Sequence, residues 1–310
     1  MLAILGGFGA ALSWAGSSLA SSRSSRMIGA WATVGWVMLI GTLISVPATI
    51  LWGGGAVFTP IAIQLLVISG AANVVGLLLA YTAFQRGKVA VIAPIVSTEG
   101  AMGAVISILL GEQVGIAAAV VLTAIACGIV LASSGKPDEP LTAEPGGLAL
   151  DATATATAGT KPPATAAGPG HPDLTATLIA LSASVFFGVN LYASARIGAT
   201  LPLVWSILPA RLAGFAFVAL PLLATGRLRM SRGALPLVVI VAFAEVIGTA
   251  SFAFGSRDGI AVAAVTSSQF GAIAAIVSVL AFGERLRPIQ VAGVVTIAAG
   301  VGLLAALQSS

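Results

Sequence analysis

Residues 87 to 112 read GKVAVIAPIVSTEGAMGAVISILLGE, and the same pattern returns at residues 259 to 284 as GIAVAAVTSSQFGAIAAIVSVLAFGE. Each copy consists of a glycine, an apolar segment long enough to cross a bilayer as a helix, and a closing Gly-Glu pair. A repeat of this length indicates a membrane protein built from two related halves.

The composition of the whole chain is that of an integral membrane protein. Its 310 residues are 58% hydrophobic and only 8% charged, whereas a soluble domain has about 25% charged residues. The net charge of +4 comes from basic residues that stand beside apolar segments, as in membrane-flanking loops. This placement argues against a nucleic-acid partner and for two others, the lipid bilayer and a small-molecule substrate.

Ten segments are long and apolar enough to cross about 30 Å of hydrocarbon. They form two groups of five: residues 2–20, 28–52, 60–83, 88–110 and 113–133, then 174–195, 201–223, 233–254, 259–282 and 286–307. Between them, repeated prolines and the run DATATATAGT predict a disordered Pro/Ala/Thr-rich linker over residues 134–173. We therefore predict an all-α membrane protein of ten transmembrane helices, with one five-helix repeat in residues 1–133 and a second in residues 174–310.

A constant offset of 172 residues, as from Gly16 to Gly188, aligns glycines of the two halves. The glycines at 16, 54, 76, 87, 111 and 128 fall on those at 188, 226, 248, 259, 283 and 300. Because each half has an odd number of spans, the second half crosses the membrane in the opposite orientation. We therefore predict inverted repeats. The Gly-Glu pairs and helix-opening glycines are predicted to cap and pack helices; this structural repeat motif is Gly87, Gly111, Glu112, Gly259, Gly283 and Glu284.

The basic residues alternate between loops as the inversion requires. One side of the membrane receives Arg23, Arg26, Arg86, Lys88, Lys136, Lys161, Arg227, Arg229, Arg232, Arg285 and Arg287. The other side receives only Arg196 and Arg257. The positive-inside rule then puts the linker in the cytoplasm and both termini outside.

Two matching motifs carry a resemblance to a known family. They are YTAFQRG, a span and GEQV in the first half, and FGSRDG, a span and GERLRPIQVAGVVTIAAGVGLL in the second. The chain resembles the EamA-type transporters of the drug/metabolite transporter (DMT) superfamily over nearly all of both halves. The resemblance implies ten helices in two inverted repeats, a cavity lined mainly by spans 1, 3, 4, 6, 8 and 9, and export of small metabolites or amino acids. It also implies cytoplasmic termini, against the charge count, so the sidedness stays open.

Three ionisable residues lie near the middle of a predicted span: Glu99, Arg211 and Glu245. A charge in hydrocarbon is unfavourable unless it faces partners or water, so these are candidate sites for substrate or proton binding. We expect Glu99 and Glu245 to bind a proton or a substrate ammonium. The alternative is an ion pair with Arg211 that only joins helices. Arg211 follows Pro209, which favours a packing role at a kink, although an arginine also suits a substrate carboxylate.

Neutral polar and aromatic residues form a second group of candidates. Asn73 aligns with Glu245 at the same offset, so both are expected to face one cavity from opposite sides. Substrate contacts and interhelical hydrogen bonds are equally good hypotheses for the polar members of this group, which are Asn73, Asn190, Gln269 and Ser97. Trp14, in the middle of the first span, is a candidate cavity wall.

The fifth and tenth spans have small residues at four-residue spacing, at positions 124, 128 and 132 and at 292, 296 and 300. Such faces let helices pack closely, either against each other or against a second chain as a homodimer. Cys127 lies in this region, and one cysteine excludes an intramolecular disulfide.

No enzyme motif is present in the sequence. It has no Walker-type phosphate loop, no HExxH, no CxxC and no histidine in a span, since His171 lies in the linker. We therefore predict no cofactor and no metal. The function predicted is secondary transport by alternating access, in the cell (plasma or inner) membrane, of metabolites such as amino acids, with proton coupling as one option. The alternatives are efflux of cationic drugs and a non-transporting scaffold or regulatory subunit.

Overall fold

The computed structural model describes residues 1–100 and 102, scattered positions from 117 to 131, and residues 174–257, 263, 266–283 and 286–309. These residues are helical and include no strand. The helices are α1 (Leu2–Ile28), α2 (Ala30–Trp52), α3 (Pro60–Arg86), α4 (Val89–Val96), α5 (Leu174–Thr200), α6 (Leu203–Ala224), α7 (Ala234–Gly255), α8 (Phe270–Phe282) and α9 (Pro288–Ser309).

Six helices, α1 to α3 and α5 to α7, are long and apolar enough to cross a membrane by length and composition. The prediction of an all-helical membrane protein is thereby confirmed. The total of ten spans and the inversion of the second half stay predictions. The linker at residues 134–173 lies outside the described residues.

The first span was predicted to end at residue 20, but α1 continues to Ile28. The extra turns contain serines, which hydropathy alone scores as a loop. Within α1 these hydroxyls donate to carbonyl groups three or four residues earlier, Ser18 to Trp14 over 2.8 Å and Ser21 to Ser18 over 3.2 Å. A serine satisfied by its own helix can remain in an apolar bundle, so the helix does not end there.

The basic residues gather at one end of the bundle. Trp36 Nε1 donates to the carbonyl of Arg229 over 3.0 Å. Arg26 Nη2 donates to the carbonyl of Gly87 over 2.7 Å. The first bond joins α2 to the α6–α7 connection, and the second joins the end of α1 to the α3–α4 connection. We call this end of the bundle the basic face.

The other end, which we call the opposite face, holds the N-terminus of α1 and the C-terminus of α7. Their backbones touch there, because a Cβ added to Gly6 would lie 2.6 Å from Gly255 Cα. Trp205 Nε1, at the start of α6, donates to the carbonyl of Gly53 at the end of α2 over 3.1 Å. The helix ends therefore alternate between faces as the order of spans requires.

The long helices pack in two matching pairs, α1 along α7 and α3 along α5. The 172-residue offset places α1 on α5 and α3 on α7, so it relates one pair to the other. Between them α4 crosses α8, and both predicted spans are interrupted at equivalent positions. Ser97 ends α4 with φ −67° and ψ −5°, and Gln269 precedes α8 with φ −70° and ψ −4°. The two halves thus share a helix break as well as a glycine pattern.

Candidate functional site

A cavity lies at the centre of the bundle, between α1, α3, α5, α7 and the broken spans of α4 and α8. These are the six spans that the resemblance implied, and Ser206 of α6 joins them. The cavity has room for roughly four to six water molecules. Its wall is mainly apolar with a few polar groups, which is typical of a small-molecule site.

The structure separates the predicted site residues into two groups. On the cavity wall lie Glu99, Glu245, Asn73, Asn190 and Trp14. Arg211, Ser97 and Gln269 are not among the wall residues.

Glu245 and Arg211 form a buried ion pair. Arg211 Nη2 lies 3.7 Å from Glu245 Oε2, and their side chains are 1% and 9% exposed. Ser17 Oγ donates to Glu245 Oε1 over 2.6 Å. The helix-joining ion pair that was the alternative hypothesis is therefore present for Glu245. A binding role for Glu245 stays a prediction, and its position on the wall is compatible with one.

Arg211 is held within the protein by α2. Gly41 leaves the space for its stem, because a Cβ there would lie 2.8 Å from Arg211 Cδ. Its Nη1 lies 3.9 Å from Met38 Sδ, and its Nε has no hydrogen-bond partner in the part of the chain that the structure describes. The guanidinium thus has one carboxylate at ion-pair distance and spare donor capacity.

Glu99 differs from Glu245. Glu99 is 5% exposed and lies on the cavity wall, two residues after the break at Ser97. No ion pair or hydrogen bond joins its carboxylate to another residue within the described ranges. A carboxylate that is buried and without a protein partner points to a ligand or a proton as the missing partner.

The neutral amides also differ from each other. Asn190 Oδ1 accepts hydrogen bonds from Ser69 Oγ over 2.8 Å and from Ser194 Oγ over 3.3 Å. Asn190 therefore joins α3 to α5, as the interhelical hypothesis proposed. Asn73 Oδ1 is buried without a partner among the described residues. It leaves an acceptor free near the cavity.

Two aromatic rings on opposite sides of the cavity rest on glycines of the facing helix. A Cβ on Gly248 of α7 would lie 2.5 Å from Trp14 Nε1, and one on Gly76 of α3 would lie 2.7 Å from Phe187 Cε1. Gly76 and Gly248 are related by the 172-residue offset. Trp14 also contacts Phe252, with ring centroids 6.1 Å apart. These glycines bring the rings close enough to form a narrow apolar wall.

The broken spans touch where they cross. A Cβ on Gly271 of α8 would clash with Ser97 Oγ and would lie 2.7 Å from the Ala93 carbonyl oxygen. Ser97 Oγ itself donates to the carbonyl of Pro94 over 2.9 Å. Ser97 therefore packs between the two broken spans. Gln269 lies near Gly302 of α9 instead.

The repeat-motif residues are described in part. Gly283 ends α8 with φ 64°, a conformation that glycine adopts readily. The Gly87 amide donates to the carbonyl of Ala83 over 2.8 Å and closes α3. Four members of the motif lie outside the described residues: Gly111, Glu112, Gly259 and Glu284.

The small-residue face at position 128 meets its own chain. A Cβ on Gly128 would lie 3.1 Å from the Gly293 carbonyl oxygen and 3.0 Å from Ile297 Cγ1, both in α9. Of the two hypotheses for this face, internal packing is therefore observed at Gly128. A homodimer stays a prediction.

Sequence reasoning missed several polar wall residues, among them Tyr81 and Thr249. Their signal was helical spacing, since Tyr81 follows Asn73 by eight residues and Thr249 follows Glu245 by four. Residues at these intervals share one helix face.

Residues 1–134 match the sequence model of the EamA-like transporter family. This match covers the first predicted five-helix repeat of the chain. A solved crystal structure covers 97% of the chain and 95% of its own length, with a TM-score of 0.60 and 18% identity. That likeness shows a shared fold across both halves. No curated protein matches the chain.

The family that this sequence model describes is one of transporters. The six long apolar helices agree with a multi-pass membrane protein.

Proposed function

We propose that this EamA-like protein is a secondary transporter that exports small polar or amphipathic metabolites, amino acids first, across the cell membrane. The observation that carries the proposal is Glu99, a buried carboxylate on the wall of a central cavity without a protein partner among the described residues. Two inverted repeats would rock about this site in alternating access.

An amino acid suits the groups on the wall. Its ammonium would pair with Glu99 and donate to Asn73 Oδ1, while Trp14 and Phe187 would contact an apolar side chain. Room for roughly four to six waters corresponds to about 120–180 Å³ of liquid, the scale of one small amino acid. These features support a cargo of that size with a positive group.

Efflux of cationic drugs is the second candidate. The same carboxylate and aromatic rings favour it, since cations bind over aromatic faces. A bulky drug would need the cavity to expand, so we place it after amino acids.

A scaffold or regulatory role explains Glu99 less well. A buried carboxylate without a protein partner is unfavourable for the folded state. A scaffold gains nothing from that loss, whereas a transporter recovers it when cargo or a proton binds.

The test is transport into and out of liposomes that contain the full chain. A panel of labelled amino acids and organic cations is offered with and without a pH gradient. We expect Glu99→Gln to lower transport at least tenfold and Glu245→Gln to remove its dependence on the gradient. The matched control is Ser182→Ala on α5, whose exposed hydroxyl donates only to its own helix.

Wild-type transport by both carboxylate variants would exclude these residues as the site. Transport without pH dependence would exclude proton coupling and leave facilitated diffusion or exchange. A reporter fused after Ser310 tests sidedness, since the charge distribution predicts an extracytoplasmic signal there.

A further inference from the structure

Helix α1 carries a face of buried serines, which we call the serine face and define as Ser17, Ser18, Ser21, Ser22, Ser24 and Ser25. Each is at most 6% exposed. Small residues let helices approach closely, and several of these hydroxyls donate to carbonyl groups of α1 itself. Packing alone would account for them if every neighbouring polar group were satisfied.

Two hydroxyl groups along the serine face are not satisfied. Ser25 Oγ and the Tyr81 hydroxyl are buried, and neither has a hydrogen-bond partner in the described part of the chain. Tyr81, from α3, lines the same cavity as Ser17 and Glu245. An unsatisfied buried hydroxyl costs about 1–3 kcal/mol. Packing does not explain why two such groups occur in one row.

These groups form a continuous row from the centre of the bundle to the basic face. The row begins at Glu245, whose Oε1 accepts from Ser17 Oγ over 2.6 Å. Ser21 and Ser25 follow Ser17 at successive turns of α1, and Tyr81 lies on the cavity wall with Ser17. From Ser17 to Ser25 the row covers about 12 Å along the axis.

The outer end of the row, Ser25, is buried next to an exposed residue. Arg26, the next residue, is exposed and belongs to the basic face. Its Nη2 donates to the carbonyl oxygens of Phe84 and Gly87, over 3.2 and 2.7 Å. Ser22 Oγ also donates to the Phe84 carbonyl, over 3.4 Å. The end of α3 is thereby fixed against α1, which keeps Tyr81 in line with the serines.

We propose that three members of the serine face, Ser17, Ser21 and Ser25, form together with Tyr81 a proton path that connects the basic face to the Glu245 carboxylate. A hydronium ion at the basic face loses one proton. Each hydroxyl accepts a proton on its oxygen and releases its own to the next, with single water molecules between hydroxyls that are too far apart to bond directly. Glu245 gains the proton, so one proton moves and no group is oxidised or reduced.

The charged and titratable groups around Glu245 determine what its protonation would change. Arg211 from α6 faces the carboxylate at 3.7 Å, Tyr81 faces it from α3, and Glu99 shares its cavity from the α4 span. The Arg211 guanidinium is the positive partner of the Glu245 carboxylate. Protonation therefore requires the ion pair to open, and an open pair frees Arg211 while removing one negative charge from the cavity wall. This inference rests on the proposed transport function, in which opening of the ion pair would couple proton movement to cargo movement.

The path is tested without any cargo, so its failure differs from a failure of transport. The full chain, as Glu99→Gln, is inserted in liposomes with the basic face outward. A caged acid outside releases protons with a light flash, and time-resolved infrared spectroscopy follows the protonated carboxyl band that Glu245→Gln removes. We expect Ser25→Ala and Tyr81→Phe to slow the rise of this band at least tenfold with an unchanged final amplitude.

Two matched variants separate a path from a structural role. Ser24→Ala removes a neighbouring buried hydroxyl that donates to the Ser21 carbonyl, and its rate should stay within twofold of wild type. Ser25→Thr keeps a hydroxyl and should restore the rate. Equal rates in all variants, a band that follows protons released at the opposite face, or no band assignable to Glu245 would each overturn the proposal. Slowed protonation in the two path variants would support it even if no cargo in the panel moves.

Discussion

The two helix pairs around the cavity have matching geometry and different chemistry. Along α1 and α7, the ring of Trp14 rests on Gly248, and the polar contact is charged, from Ser17 to Glu245 and on to Arg211. Along α3 and α5, the ring of Phe187 rests on Gly76, and the polar contact is neutral, from Ser69 to Asn190. The shared glycines set the distance between helices, and the polar residues that differ set what each interface can do.

The largest effect is expected from breaking the charged contact. Glu245→Gln leaves the guanidinium of Arg211 buried without a charge partner, so we expect the free energy of unfolding to fall by about 3 kcal/mol. Equilibrium unfolding in mixed micelles measures this change. The double variant Glu245→Gln with Arg211→Met should recover at least half of the loss, since it removes both charges. A single variant as stable as wild type would show that the pair adds no net stability.

The next effect concerns the two glycines under the rings. Gly248→Ala and Gly76→Ala place a methyl group within 2.7 Å of a ring that cannot simply rotate away. We expect each to lower the free energy of unfolding by about 1–3 kcal/mol, the usual range for overpacking. Gly16→Ala on α1 is the control, because nothing lies within 4 Å of its added Cβ. If only one of the two variants lowers the free energy of unfolding, the two helix pairs do not share the same packing of a ring on a glycine.

A smaller effect is expected at the neutral contact. Asn190→Ala removes the acceptor shared by Ser69 and Ser194, and an interhelical hydrogen bond in a membrane is worth about 0.6 kcal/mol on average. The same unfolding assay should therefore show a loss of roughly 0.5–1.5 kcal/mol. Ser182→Ala serves as the unchanged reference. A loss as large as that of Glu245→Gln would contradict the contrast between the interfaces.

The smallest effect on stability is expected at Glu99. Because its carboxylate has no partner within the described ranges, Glu99→Gln should leave the free energy of unfolding within about 0.5 kcal/mol of wild type, or raise it slightly. Transport should nevertheless fall at least tenfold. A variant that loses stability and transport together would indicate a structural partner for Glu99.

Span positions were predictable from the sequence because hydropathy follows burial in lipid directly. The predicted span at 174–195 corresponds to α5, and the one at 233–254 to α7, with ends that differ by a few residues. The end of α1 was missed because serine hydroxyls bonded to their own helix escape a hydropathy scale.

The site was predictable only as a set of residue types. Mid-span charges indicated Glu99 and Glu245, but which of them is paired depends on the rotation and approach of separate helices. Tyr81 was missed because a tyrosine in an apolar span has an ordinary packing explanation. Its role becomes visible only when its hydroxyl is seen buried without a partner.

Helices α4 and α8 are two segments that each adjoin a break, at Ser97 and Gln269, and the two breaks lie where the spans cross. From its break, α4 extends 8 residues toward the basic face, which is about 12 Å, and α8 extends 13 residues, which is about 20 Å. A tilt of about 20° at each break would move the far end of α4 by about 4 Å and that of α8 by about 7 Å. Because the two segments differ in length, equal bending at the two breaks would displace the end of α8 further than the end of α4.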